Sequence, residues 1–96
     1  MPELVELSPE ISTDHDDVQY HIEIGLPGVK KEDIDLEMTD LSFCIKASKE
    51  DIVYNACYTL AHSIDISKVE TSFENGLLVI IAPFQHALSG TKITIK

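Results

Sequence analysis

The chain of 96 residues contains no arginine and no tryptophan, and only two cysteines, four glycines and four prolines. Its cations are seven lysines, set against 17 aspartates and glutamates, for a formal net charge of −10. Phosphate contact needs lysine and arginine gathered on one face, and an acidic surface repels a polyanion and anionic lipid alike. Neither nucleic acid nor a membrane is therefore an expected partner, and the negative surface serves solubility. No apolar run approaches the ~18 residues of a membrane span. The opening MPELVELSPE has neither the basic region nor the apolar stretch of an export signal, so the expected location is cytoplasmic. Cys44 and Cys57 lack CxxC spacing and sit inside apolar patterns, which reads as two structural thiols acting as small hydrophobes.

Signatures of chemistry are missing as well. His15, His21, His62 and His86 have no ligand spacing to one another or to the cysteines, so no zinc site is expected. Ser63 and Asp65 lie too close to His62 in the chain to imply a triad, and nothing around them makes a nucleophile elbow. Gly25 and Gly28 follow a strand, but Pro27 and a charged bridge stand where a phosphate-cradling helix would begin. The expectation is a protein with no catalytic site, no metal and no cofactor.

What is present is enough apolar material, 44% of the residues, for one folded core in a chain of single-domain length. The dominant period is two. Tyr20, Ile22, Ile24 and Leu26 alternate with polar or small residues up to Pro27-Gly28. Ile34, Leu36 and Met38 form a second run, and Leu41, Phe43, Ile45 and Ala47 a third after a turn at Thr39-Asp40. A fourth comprises Tyr54, Ala56, Tyr58 and Leu60, and Val69 to Phe73 leads into Glu74-Asn75-Gly76, whose Asn-Gly pair suits a tight hairpin. Its return arm, Leu77 to Ala82, is apolar at every position. Short strands at close spacing, with no helical period, make an antiparallel sandwich or barrel. The expected core is Tyr20, Ile22, Ile24, Leu36, Phe43, Ile45, Val69, Phe73, Leu78 and Ile80. A strand apolar on both faces must cover its second face, by a peptide in a groove, a dimer contact or a loop of its own.

Three segments carry a family resemblance. YHIEIGLPGVKKEDIDLEM is similar to the third and fourth strands of the small heat-shock proteins, in which an alternating strand ends in a Leu-Pro-Gly turn before a Lys-Glu-Asp bridge. VETSFENGLLVIIAP resembles their later signature, matching at Asn75, Gly76, Leu78 and Pro83, with Thr71 for the usual alanine and Leu77 for the valine. Ile93-Thr94-Ile95 resembles their Ile-x-Ile tail. The departures are a short segment before the first clear strand, a connection Ser48 to Val53 too short for a strand that swaps into a partner, Ala56 where an arginine is usual, and Leu60-Ala61 for Leu-Pro.

The resemblance implies an all-β, antiparallel, immunoglobulin-like sandwich of α-crystallin-domain type over residues 18–84, with a short arm at 1–17 and a tail extension at 85–96. It also implies an ATP-independent holdase that binds unfolded or partly folded proteins and self-associates as a dimer or small oligomer, with no cofactor. The alternative is an adaptor like the CS-type cochaperones, docking one folded partner. The expected protein-binding groove comprises Ile34, Leu36, Met38, Leu78 and Ile80. Ile93 and Ile95, two apart and so on one side of an extended segment, form a plug for that groove on a neighbouring molecule, or else an edge strand of their own sandwich. Any dimer would pair strand edges, through Val53 to Leu60, without exchanging Ser48 to Val53.

Overall fold

A computed structural model describes residues 4–86, 88, 90 and 92–96. Eight strands build two sheets: β1 (Val5–Leu7), β2 (Glu10–His15), β3 (Gln19–Gly25), β4 (Ile34–Met38), β5 (Ser42–Lys49), β6 (Ile52–Thr59), β7 (Glu70–Glu74) and β8 (Leu77–Pro83). The first sheet has the order β1-β6-β5-β4, and the second β2-β3-β8-β7. Single 3₁₀ turns at Lys31–Asp33 and Ile66–Lys68 are the only helical pieces among the described residues, and no helix is long enough to cross a membrane.

Alternation decides what lies between the sheets. On β3 the inward residues Tyr20, Ile22 and Ile24 are buried, as are Phe43, Ile45 and Ala47 on β5 and Leu78, Ile80 and Ala82 on β8. Of the expected core, Leu36, Val69 and Phe73 are only half-buried, because they stand near the open sides of the sandwich. Leu26, Tyr54 and Leu60 bring their alternating runs into the core, and Val29, Ile64 and Phe84 join it from outside those runs, where no period announces them.

The hairpin at Asn75-Gly76 forms as its sequence predicts, both residues having positive φ, 51° and 79°. A side chain at Gly76 would set its Cβ 3.1 Å from the Pro27 Cα. The Leu26 amide donates to the Gly76 carbonyl at 2.7 Å. The Leu-Pro-Gly turn and the Asn-Gly turn, some 50 residues apart in the chain, are thus packed together as one corner.

The stretch 1–17, expected as an arm, carries two strands. β2 pairs with β3 along all six of its residues, and β1 runs parallel to β6, pairing Val5 with Ile52 and Leu7 with Tyr54. This parallel pair departs from the all-antiparallel expectation. Ser48 to Val53 is not a free connection: the β5–β6 ladder runs through Ser48↔Val53 and Lys49↔Ile52, leaving only Glu50 and Asp51 to turn. No strand leaves the body from this hairpin.

The two cysteines correct the sequence reading. Cys44 and Cys57 are not free thiols but a disulfide, with Cα atoms 4.1 Å apart. Both lie on the outer face of the first sheet, directly opposite each other in the β5–β6 register. Local spacing cannot reveal such a pair, because register, not distance along the chain, brings the sulfurs together.

Candidate functional site

Two strand edges face each other on one side of the sandwich. β4 ends the first sheet and β7 the second, so each has one side without a strand partner among the described residues. Between them lies a groove of about 220 Å³, lined by Lys31, Ile34, Leu36, Thr71, Ser72, Phe73 and Leu78. That volume is below the roughly 300–1,000 Å³ usual for small-molecule sites. Its walls are strand edges and branched apolar side chains, which suit a segment of polypeptide whose side chains enter while its backbone meets an unpaired edge.

The structure brings together Ile34, Leu36 and Leu78 of the expected groove. Met38 is half-buried farther along β4 and does not line it, and Ile80 is fully buried below it. Their place is taken by Thr71, Ser72 and Phe73, because β7, not β8, is the edge strand facing β4. Phe73 was legible as an alternating apolar residue, but nothing local states which strand borders the opening. Ile93 and Ile95 belong to no strand and are 76% and 93% exposed. Neither isoleucine is packed into the core among the described residues.

The opposite side of the sandwich is closed differently. Its floor is an aromatic cluster in which Tyr20 packs edge-on against His15 and Phe84, with ring centres 5.5 and 5.1 Å away. His15 and His62 stand 5.2 Å apart. They are the two scattered histidines that folding unites, yet no group of three or more potential ligands for a metal ion occurs among the described residues. The Tyr20 hydroxyl accepts hydrogen bonds from the Ala61 and His62 amides, both at 3.0 Å, and so ties the second sheet to the end of β6. Above this floor β1 covers the β6 edge only from Ile52 to Tyr54.

Two carboxylates are held below the usual aspartate range. Asp16 accepts the Val18 and Gln19 amides in the β2–β3 turn, at 2.8 and 2.9 Å. Asp65 accepts the Ser67 hydroxyl at 2.6 Å and the Ser67 amide at 3.1 Å, capping the 3₁₀ turn that follows. Both carboxylates shape turns. Asp65 is thereby given a structural role beside His62 and Ser63.

Comparison with known proteins places this geometry. The Hsp20/alpha crystallin family model matches residues 12–96. Small heat shock protein C4 of Rickettsia felis is 26% identical over 94% of this chain and 65% of its own length, and small heat shock protein C2 of the same organism is 26% identical over 69% of its length. The chain thus spans about two thirds of these relatives. Among solved structures, heat shock protein 16.0 from Schizosaccharomyces pombe superposes with a TM-score of 0.76 at 24% identity, covering 95% of this chain and 77% of that one. A small heat-shock protein from Xylella fastidiosa gives a TM-score of 0.73 at 18% identity, covering 96% and 99%. A sandwich of this order, with the Leu-Pro-Gly and Asn-Gly corners in contact and a family match over most of its length, belongs to the Hsp20/alpha crystallin family of small heat-shock proteins.

Proposed function

We propose that this chain is an ATP-independent holdase whose β4–β7 groove takes apolar segments of partly unfolded proteins, and that the Ile93-Thr94-Ile95 tail of a neighbouring copy occupies the groove when no client is present. Members of its family are generally holdases of this kind and are typically oligomeric. The observation that carries the reading is the pairing of an open apolar groove with an exposed two-pronged tail on the same chain. Each isoleucine contributes roughly 1.5–3 kcal/mol when fully buried, less the cost of ordering its linker. A net attraction of a few kcal/mol makes the plug reversible, so a client displaces it.

Two experiments test this. Aggregation of several unrelated heated proteins, followed by light scattering without nucleotide, should be suppressed; an adaptor would suppress none and capture a single partner. The double change Ile93→Ala with Ile95→Ala should yield a smaller assembly by native mass with an unchanged melting curve. An unchanged mass with a large loss of stability would assign the tail to its own core.

A further inference from the structure

The outer face of the second sheet has a composition that neither the groove nor the core explains. β8 is central in that sheet, between β3 and β7, and its outward residues Leu77, Val79 and Ile81 are exposed or half-buried. They follow one another down a stripe of about 20 Å that ends at Pro83, at ~3.3 Å per residue. The register places a cross-strand rank through each. Glu10, Gly25, Leu77 and Glu74 form the first; Ser12, Glu23, Val79 and Ser72 the second; Asp14, His21, Ile81 and Glu70 the third.

Charge on this face is of one sign. Glu10, Asp14, Glu23, Glu70 and Glu74 all point outward, and none of the chain's seven lysines lies on β2, β3, β7 or β8. His21 is the one titratable base on the face, beside Glu23 at 3.2 Å. An antiparallel strand with one solvated face ordinarily carries polar residues there. Here an apolar stripe runs between two acidic margins. Two such faces repel each other, so this surface does not stack on its counterpart in a second copy; its complement is apolar and cationic.

We infer that the outer face of the β2-β3-β8-β7 sheet is a second client surface, selective for polypeptide segments in which aliphatic residues are flanked by lysine or arginine. The inference rests on the holdase reading and deepens it by naming a client class. Leu77, Val79 and Ile81 take the aliphatic side chains, while Glu23, Glu70 and Glu74 hold the flanking cations. Because these carboxylates are at the surface, salt weakens the contact.

The test uses the full chain and two fluorescent peptides with the same leucines and valines, one with lysine and one with glutamate at the flanking positions, read by anisotropy. The cationic peptide should bind at least ~10-fold more tightly at low salt, with the gap closing as salt shortens the range of the charges. Replacing Glu23, Glu70 and Glu74 together by glutamine should remove most of that preference, and Val79→Lys should abolish binding of the cationic peptide. The glutamine variant conserves shape, so the test stands even where Val79→Lys fails to fold. Equal binding of the two peptides, or a preference that survives the glutamine changes, overturns the inference. So does a fall in native mass with Val79→Lys, which would assign the stripe to contact between copies. Heat-aggregation suppression is scored on the same variants. Suppression that persists without peptide discrimination sinks only this face, whereas absence of any suppression by the unaltered chain sinks the holdase reading.

Discussion

Replacing Tyr20 by phenylalanine removes a single oxygen from a residue that is 3% exposed and leaves its ring contacts with His15 and Phe84 in place. The lost oxygen accepts two amides, those of Ala61 and His62, across a gap that separates the two sheets. A hydrogen bond of this kind contributes about 0.5–1.5 kcal/mol net, and a buried donor left without a partner costs about 1–3 kcal/mol. Ala61 is exposed, so its amide regains water, whereas His62 is half-buried and its amide regains less. The sum is a loss of about 2 kcal/mol, or ~10 °C in Tm for a chain of this length. The assay is urea unfolding by circular dichroism at fixed protein concentration, together with amide exchange. Exchange at Ala61 and His62 should accelerate while that of the β3–β8 ladder keeps its order. A loss below about 0.5 kcal/mol, with the two amides equally protected, would refute the claim that this hydroxyl joins the sheets.

Further outcomes follow from named contacts. Reducing the Cys44–Cys57 bridge, whose cysteines are 13 residues apart, should lower stability by at most ~3 kcal/mol, the chain-entropy value for a loop of this size, and Cys44→Ser with Cys57→Ser should make urea unfolding insensitive to reductant. Gly76→Ala should cost about 1–2 kcal/mol by thermal melting, since alanine resists φ of 79° and its Cβ meets Pro27 at 3.1 Å. Hydrogen bonds from the Val18 and Gln19 amides to Asp16, and from the Ser67 hydroxyl and amide to Asp65, hold both carboxyls below the ordinary aspartate range, so their contribution is present above that range and is lost as pH falls through the folded pKa. Asp16→Asn with Asp65→Asn should therefore flatten the acid limb of a Tm profile below about pH 4, with little change in its slope at neutral pH.

Sequence pattern revealed faces better than neighbours. Period two separates Tyr20, Ile22 and Ile24 from their outward companions, because a one-residue slip would expose the entire set. It leaves open which strands adjoin: β7 is the edge strand beside β8, and it contributes Thr71, Ser72 and Phe73 to a groove for which pattern alone points to β4 and β8. The unbroken apolar run Leu77 to Ala82 identifies a strand covered on its inner face and apolar on its outer one, but the ranks of carboxylates beside it emerge only from register. β1 and β2 carry no sustained alternation to read: β1 is only three residues long and exposed throughout, and Ile11 is the one aliphatic residue of β2. The disulfide was legible in one respect: Cys44 and Cys57 are equidistant from the Glu50-Asp51 turn, so a hairpin centred there sets them opposite each other. That signal needs the turn, and Glu50, at φ 52° without being glycine or asparagine, gives no such cue.

Capture of non-native protein in the β4–β7 groove is tested most directly by co-elution of the chain with a permanently unfolded client protein, in the absence of nucleotide, for the unaltered sequence and for Leu36→Lys with Phe73→Lys. Both side chains line the groove and are only half-buried, so the lysines can extend into it and oppose apolar segments without burying a charge in the core. The account predicts a complex with the unaltered chain and little or none with the double variant, whose melting temperature should fall by only a few degrees. A client that elutes equally with both, or with neither, would contradict it.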